Sequence, residues 1–277
     1  MDSTPHGAAV KAQGLGVKGP RGWAFQDVDI TAEPGALIAI EGPSGSGRTC
    51  LLLALTGRMK TAAGKARVGG LSLPKKMAAV RAVTALAHVP GVAELDPAFT
   101  VAEHLHERAL LQRRFGSPVR ALLRPRRERR AEAQGRIDAA LEAAGLDPET
   151  LPKGVRTSVR DLERLEALRL SVALALIGAP RLLAVDDADL KLSDEERAQA
   201  WALLRGLAAA GTTVLAVCSQ APEDALVVST ARRPGKPEPE AEADAEPAAE
   251  AEPEAGTEKN TKNEEGAADA LAEAGRA

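Results

Sequence analysis

Aromatic residues are scarce in this 277-residue sequence, at 2% of the chain, and tyrosine is absent. Cysteine is nearly as rare, with two residues, so no disulfide framework is predicted. The four histidines do not have the spacing of a metal site. Cys50 and Cys218 both lie in apolar runs and are predicted to be small buried side chains.

Long apolar runs are missing as well. The longest, from Leu170 to Gly178, is too short to cross a bilayer and is followed by Pro180. The N-terminal residues MDSTPHG contain neither a basic nor an apolar segment, so no signal peptide is expected. We therefore expect a soluble cytoplasmic protein, with docking on a membrane protein still open.

Charge is distributed unevenly along the chain. The net charge is −3, but residues 234–277 carry 13 acidic and 4 basic side chains, or −9, which leaves +6 on residues 1–233. The acidic segment consists mainly of Ala, Glu and Pro and has almost no large apolar side chain, so it is predicted to be disordered. We expect one folded domain over residues 1–233 and a disordered acidic tail over residues 234–277.

The stretch Ala36–Ala54, ALIAIEGPSGSGRTCLLLA, reads as a strand, a glycine-rich loop and a helix. Its loop matches the phosphate-loop pattern G-x-x-x-x-G-K-[ST], except that Arg48 stands in the lysine position. Backbone N–H groups and the helix dipole of such a loop bind phosphate, and its hydroxyl binds Mg²⁺. The candidate nucleotide-binding residues are Gly42, Ser44, Gly45, Ser46, Gly47, Arg48, Thr49 and Cys50, with Thr49 also a candidate Mg²⁺ ligand. A glycine-rich turn without a ligand is the alternative interpretation.

A second apolar strand ends in two carboxylates, Asp186 and Asp187. In a phosphate-loop enzyme the first carboxylate holds Mg²⁺ through its water shell, and the second polarises the attacking water. The alternative is an acidic pair that caps a helix or keeps a loop solvated.

Periodicity predicts an alternation of strands and helices, and thus an α/β fold with a largely parallel sheet. Capping boxes are predicted at Thr100 with Glu103 and at Ser193 with Glu196. Strands are predicted over Val10–Val17, Phe25–Ile30, Ala36–Ile40, Gly64–Leu73, within Val80–Val89, and over Leu182–Asp187, Gly211–Val217 and Ala225–Ser229. Helices are predicted over Arg48–Met59, from Thr100, over Ala131–Gly145, Arg160–Ile177 and Ser193–Leu207, and in a short segment before Ala225.

Four stretches, in order, resemble the nucleotide-binding subunit of ATP-binding cassette (ABC) transporters. They are EGPSGSGRTCLLLALTGRMKTAAGKARVGG, HVPGVAELDPAFTVAEHL, ALIGAPRLLAVDDADLKLSDEE and GTTVLAVCSQAPEDA. The resemblance, from about Ala9 to Val228, implies a phosphate-loop NTPase of the ABC type. Such a fold has a mostly parallel core sheet, an antiparallel hairpin region and an inserted helical subdomain, here at about residues 92–178. The resemblance also implies ATP and Mg²⁺ as ligands, a separate integral-membrane permease and a second nucleotide-binding cassette as partners, and a peripheral location at the cytoplasmic face of the cell membrane.

Several positions depart from the family pattern. By resemblance Asp186 acts on Mg²⁺, and the catalytic candidates are Asp187, as a weak base, and Ser219, which stands at the switch histidine. Gly91 stands at the glutamine of the glutamine loop, and the signature LSGGQ becomes LERLE over residues 162–166. Impaired hydrolysis is therefore expected. The alternatives are a pseudo-ATPase acting as a regulatory or binding module, and an ABC ATPase outside transport.

Two further features remain open. The family's adenine-stacking aromatic residue is missing near Gly19, and Trp23 is a candidate substitute, a core or surface tryptophan being the alternative. The basic stretch Arg113–Arg130 is interpreted as a contact for anionic lipid or an acidic partner, or as a solvated face. Its one aromatic residue is Phe115 and no DNA-reading motif surrounds it, so nucleic acid is not expected there.

Overall fold

The computed structural model describes residues 6–20, 22–116 and 125–231. The predicted acidic tail lies outside these residues. So does the middle of the basic stretch, residues 117–124, and the side chains of residues 113–116 and 126 are likewise outside the description. No helix within the described ranges combines the length and hydrophobicity needed to cross a membrane.

One layer is a four-stranded antiparallel sheet with the order β2-β1-β4-β5. Its strands are β1 (Val10–Gly19), β2 (Gly22–Ala32), β4 (Ala63–Val68) and β5 (Leu71–Leu73). Strands β1 and β2 pair as a hairpin that closes with Gly19 opposite Gly22, as the turn residues there predict.

The second sheet has five parallel strands in the order β6-β7-β8-β3-β9. Its members are β3 (Leu37–Glu41), β6 (Thr84–Leu86), β7 (Leu182–Val185), β8 (Thr213–Val217) and β9 (Leu226–Ser229). Every residue of β7 and β8 is buried, because both faces of the sheet are covered. The uninterrupted apolar sequence of each strand fits this burial on two sides. The predicted parallel sheet, with a last strand at its edge, is confirmed.

Within the described ranges six α-helices accompany the sheets: α1 (Arg48–Leu55), α2 (Met77–Val83), α3 (Val101–Gly116), α4 (Arg126–Ala143), α5 (Arg164–Leu176) and α6 (Asp194–Ala209). Both predicted capping boxes are present. The Thr100 N–H donates to the Glu103 carboxylate at 2.7 Å, and the Ser193 N–H donates to Glu196 at 2.8 Å.

Three sequence predictions of local structure were wrong. Helix α1 ends at Leu55 instead of Met59, because Gly57 takes a left-handed conformation (φ 72°). Helix α5 begins at Arg164, after a single 3₁₀ turn at Val159–Asp161. Residues 218–225 form no helix. The strand predicted within Val80–Val89 is present as β6, which follows α2.

The parallel sheet separates two hydrophobic clusters. Alternate residues of β3 point to opposite sides: Leu37 and Ala39 join the cluster with α5 and α6, whereas Ile38 and Ile40 join the cluster with α1 and the antiparallel sheet. The carboxyl ends of the parallel strands lie at one edge between these clusters. The loops that follow β3, β7 and β8 therefore meet there.

Candidate functional site

The loop from Gly42 to Gly47 joins the end of β3 to the start of α1. Gly47 is the N-cap of α1 (φ 82°, ψ 20°), and no side chain caps this helix end. The first turn also contains no acidic residue. The backbone N–H groups at this terminus are therefore left without a side-chain acceptor, which is the condition for binding an anion.

At two positions of the loop, neighbouring atoms leave no room for a side chain, so glycine is needed for close packing as well as for backbone conformation. A Cβ at Gly47 would lie 2.5 Å from the carbonyl oxygen of Ala24 in β2, and one at Gly42 would lie 2.5 Å from the hydroxyls of Ser46 and Thr230. Those hydroxyls are themselves 2.6 Å apart, so Thr230 fixes the Ser46 side chain from beyond β9. Gly45 has a positive φ but open space around it.

Thr49 and Asp186 meet at this edge although 137 residues separate them. The Thr49 hydroxyl donates to Oδ2 of Asp186 at 2.7 Å, and Oδ1 accepts the Asp187 N–H at 3.1 Å. Asp186 is only 2% exposed. Burial raises the pKa of its carboxyl, and the hydrogen bond from Thr49 opposes that rise.

Arg48 projects from the first turn of α1 to the end of β8. Its Nη1 donates to the carbonyl oxygen of Cys218 at 2.8 Å. Its positive charge also opposes the rise in the pKa of Asp186. Cys218 is buried as predicted, and burial raises the pKa of its thiol to about 12.

Cys50 follows Thr49 and is half-buried, so its predicted burial is only partial. Burial and the neighbouring Asp186 carboxylate raise the pKa of the Cys50 thiol. Ser44 is exposed on the outer part of the loop. Both residues remain candidate binding residues.

Asp189 fixes the loop that follows β8, a role that sequence reasoning missed. Its buried carboxylate accepts the Ser219 N–H at 2.9 and 3.0 Å and the Gln220 N–H at 3.2 Å. The neighbouring Ala221 N–H donates to Glu41 at the end of β3. The sequence did offer one indication: Asp189 stands between the apolar residues Ala188 and Leu190, so its carboxylate would be expected to need a hydrogen-bonding partner within the protein.

Asp187 leaves β7 in a left-handed conformation (φ 48°). It lines a cavity of about 210 Å³ together with His88, Glu94 and Arg164. Burial lowers the pKa of His88, with Arg164 adding to the effect. Asp187 thus contacts Asp186 through its backbone N–H, while its side chain lines the cavity that His88, Glu94 and Arg164 also line.

A family model described as ABC transporter matches residues 25–189. The chain belongs to the ABC transporter family. It is 31% identical over 189 residues to the Nod factor export ATP-binding protein I of Cupriavidus metallidurans, covering 68% of this chain and 55% of that protein. It is also 31% identical over 215 residues to the putative ABC transporter ATP-binding protein SCO2324 of Streptomyces coelicolor, covering 76% of this chain and 33% of that protein.

The chain spans about half the length of the Nod factor export relatives that it matches. A solved structure, the dimeric post-hydrolysis state of the ATP-binding cassette MJ0796 with ADP and phosphate, superposes with a TM-score of 0.58. The two sequences are 18% identical, and the match covers 76% of this chain and 88% of the other. This likeness confirms the fold: a parallel core sheet, an antiparallel sheet and a helical region.

In this ABC-family chain, helix α5 begins in the segment LERLE. Glu163 is its N-cap, and a capping box links it with Glu166, whose carboxylate accepts the Glu163 N–H at 2.8 Å. Two carboxylate side chains therefore occupy this helix terminus. Gly91, which the sequence resemblance aligns with the glutamine of the glutamine loop, donates its N–H to Glu94 at 2.9 Å and lies on an exposed turn.

Trp23 lies on β2 and is 36% exposed. Its indole covers Gly16, where a Cβ would lie 2.9 Å from ring atom Cζ3. The next residue, Ala24, is the one whose carbonyl packs against Gly47 of the loop. The structure therefore places a half-exposed aromatic side chain one residue from a contact with the phosphate loop.

Proposed function

We propose that this chain is the ATP-binding subunit of an ABC transporter and binds Mg-ATP at the loop between β3 and α1. The observation that carries the proposal is the meeting of Thr49 and Asp186, 137 residues apart, beside a helix terminus without a side-chain cap. Uncapped N–H groups and tightly packed glycines suit a phosphate group.

The residues present also fit a magnesium ion. Mg²⁺ prefers oxygen ligands and usually keeps one or two protein oxygens together with phosphate oxygens and waters. Thr49 and Asp186 would supply the hydroxyl and the carboxylate, already 2.7 Å apart. The described residues contain no group of three or more His, Cys, Asp or Glu side chains arranged for a metal. Bound Mg²⁺ would neutralise negative charge on the phosphates.

Calorimetric titration of the purified chain with Mg-ATP tests the proposal. We expect binding that is weaker than that of a loop with lysine in place of Arg48, because the planar guanidinium is bulkier than an ammonium group. Asp186→Asn should lose the Mg²⁺-dependent part of the affinity while keeping the fold. Absence of heat at millimolar Mg-ATP would contradict the proposal.

We further propose that hydrolysis is impaired. Asp187, one methylene shorter than glutamate, would have to act as the base within about 3 Å of the attacking water or through a second water. The Ser219 hydroxyl lies 3.4 Å from the Asp189 carboxylate and brings no positive charge. Losses of a base or of electrostatic stabilisation each cost on the order of 10²-fold in rate.

The measurement is phosphate release by wild type and by Arg48→Lys, Asp187→Glu and Ser219→His. We expect slow or absent turnover, and no single reversion should restore it. Turnover near about 1 per second or faster in wild type, the ordinary enzyme range, would refute impairment. ATP binding without turnover would favour the alternative of a pseudo-ATPase that acts as a regulatory module, which the carboxylate-capped start of α5 also supports.

The names of the relatives support a proposal about partners. The matched curated proteins are named export or transporter ATP-binding proteins, and the solved cassette is dimeric. We propose a separate integral-membrane permease and a second cassette, identical or different, as partners at the cytoplasmic face of the cell membrane. Pull-down of the tagged chain with solubilised membranes should retain an integral-membrane protein. Recovery of ribosomes or DNA in its place would favour an ABC ATPase outside transport.

A contact of Arg113–Arg130 with anionic lipid is a separate proposal, resting on the basic residues of that stretch. Co-sedimentation of the purified chain with vesicles, with and without phosphatidylserine, tests it. We expect binding that requires the anionic lipid and that weakens as salt is raised. Equal binding to neutral vesicles would contradict it.

A further inference from the structure

The cavity of about 210 Å³ beside Asp187 has an apolar wall and a charged side. The apolar wall is formed by α5, by the turn before it and by the loops that follow β6 and β7. Its members are Leu95, Val159, Ala167, Leu168, Ala188, Leu190 and Leu192. A dry cavity of about 150 Å³ holds benzene, so a cavity of this size has room for a molecule of about eight or nine heavy atoms.

Opposite charges line this cavity without pairing. Arg164 and Glu94 are exposed at its edge, and Asp187 is half-buried. Among the described residues, the Arg164 guanidinium and the Asp187 carboxylate make no ion pair and no side-chain hydrogen bond. Glu94 accepts the N–H of Gly91 at 2.9 Å and has a second oxygen for another donor. The cavity therefore presents one cation and two anions that a ligand can pair with.

A buried hydroxyl adds a further polar group. Ser171 lines the cavity from α5, is 4% exposed, and forms no hydrogen bond with any part of the chain that the structure describes. The Thr56 hydroxyl at the end of α1, by contrast, donates to the Leu52 carbonyl one turn earlier. Because buried hydroxyls generally have a partner, the Ser171 hydroxyl is available to a polar group of a ligand.

We infer that this cavity binds a free α-amino acid whose apolar side chain is about the size of that of leucine. Its carboxylate would pair with the Arg164 guanidinium and its ammonium group with the Asp187 carboxylate, while its side chain would contact the apolar wall. A zwitterion suits this lining because each of its charges meets an unpaired group of opposite sign, and hydrogen bonds between charged groups are strong. A purely anionic ligand would be repelled by the two carboxylates. The inference goes beyond the proposed function and does not depend on it.

Calorimetric titration of the full chain with L-leucine tests this inference, against three probes that each lack one part of leucine. Glycine lacks the apolar side chain, 4-methylpentanoate lacks the amino group, and 3-methylbutylamine lacks the carboxylate. A hydrogen bond to a charged group corresponds to about tenfold or more in affinity, so we expect each charge-deficient probe to bind at least about tenfold more weakly than leucine. Glycine should also bind more weakly, because it buries no apolar surface. Leucine should raise Tm in a saturable manner.

Two substitutions separate the roles of the charges. Arg164→Gln should weaken leucine binding by about tenfold but should not weaken 3-methylbutylamine binding, since that probe has no carboxylate. Asp187→Asn should weaken leucine binding to a similar extent but should not weaken 4-methylpentanoate binding. Arg160→Gln is the matched control, because Arg160 is an exposed arginine in the turn before α5 and does not line the cavity.

Melting curves of each variant verify folding. Ala167→Leu puts a larger side chain on the cavity wall and should abolish leucine binding, so it tests the site even if a charge variant is unstable. Absence of heat with millimolar leucine, equal affinities for leucine and the three probes, or unchanged leucine binding in Arg164→Gln would overturn the inference. Mg-ATP is titrated separately: a chain that binds Mg-ATP but not leucine would overturn this inference alone, and a chain that binds leucine but not Mg-ATP would refute only the proposed function.

Discussion

Helices α1 and α5 begin in opposite ways. The start of α1 has a glycine N-cap in the left-handed region, no side-chain cap and no acidic residue in its first turn. The start of α5 has a glutamate N-cap and a complete capping box that ends in Glu166. Both termini carry the same helix dipole, but only the second has a capping box, in which the Glu166 carboxylate accepts the Glu163 N–H.

The difference shows that the dipole alone does not make an anion site. At α5 the carboxylates of Glu163 and Glu166 add negative charge where a phosphate would need positive potential. At α1 the loop packing excludes side chains from the same positions. We therefore expect nucleotide chemistry to depend on α1 and structural stability to depend on the cap of α5.

The largest effect should come from closing the α1 terminus. A methyl group at Gly47 would lie 2.5 Å from the Ala24 carbonyl, so Gly47→Ala must displace β2 or the loop. We expect ATP affinity to fall by about 100-fold or more, since the cradle geometry is lost in addition to the cost of a left-handed alanine, about 1–2 kcal/mol. Calorimetric titration with Mg-ATP measures the affinity.

The matched control for that variant is Gly45→Ala in the same loop. Gly45 also has a positive φ (79°), but no atom lies within 4 Å of the position that a Cβ would take there, so only the conformational cost applies. Its effect on ATP affinity should be at least about tenfold smaller. Equal losses in the two variants would show that loop conformation, and not close packing, decides binding.

The next largest effect on ATP affinity should come from removing the Thr49 hydroxyl in the first turn of α1. Thr49→Val keeps the branched shape but removes the donor to Asp186. We expect ATP affinity in Mg²⁺ to fall by about tenfold, the size of a lost hydrogen bond to a charged group, and affinity in EDTA to stay nearly unchanged. Thr56→Val, at the far end of α1 from the loop, is the control for loss of a threonine hydroxyl in the same helix. An equal loss with and without Mg²⁺ would argue against metal ligation by Thr49.

Sequence reasoning predicted the open terminus well, because its evidence is local. A strand, a glycine-rich turn and a helix follow one another within Ala36–Ala54, and each leaves its own pattern. Motif logic at two strand ends of one parallel sheet named Thr49 and Asp186 as candidate Mg²⁺ ligands, and the structure brings their side chains within 2.7 Å. No motif indicated the bonds of Arg48 to Cys218 and of Asp189 to Ser219, because contacts 170 and 30 residues apart leave no periodic signal.

The errors in the fold have local physical causes. Helix α1 was predicted to continue to Met59 because its apolar pattern continues, but Gly57 turns the chain left-handed and ends it. The start of α5 was predicted too early because a 3₁₀ turn and an α-helix share short-range spacing. Thr230, which holds Ser46, follows an edge strand and carries no motif at all.

A smaller effect is expected at the closed terminus. Glu163→Ala removes the N-cap of α5 and should lower the free energy of unfolding by about 0.5–2 kcal/mol. For a domain of this size that corresponds to a few degrees in Tm, at about 2–4 °C per kcal/mol. Glu163→Asp retains a capping carboxylate and should stay near wild type. ATP affinity of the isolated chain should be the same in both, and a change there would mean that α5 takes part in binding within one chain.

The smallest effect is a pH dependence at a third helix start, the capped terminus of α6. Hydrogen bonds from the Ser193 N–H and hydroxyl lower the pKa of the exposed Glu196 carboxyl below its ordinary 4.5. A carboxyl with a lowered pKa in the folded state stabilises the fold above its unfolded pKa, and this contribution is lost as pH falls through the folded value. Glu196→Gln should therefore be slightly less stable than wild type at pH 7, and the difference should shrink below about pH 4.5. Urea unfolding at stepped pH measures it, with Glu195→Gln in the same turn as the control outside the capping box. If the difference in unfolding free energy between wild type and Glu196→Gln persisted unchanged at acid pH, the amide would be a poorer cap because of its geometry and not because of its missing charge.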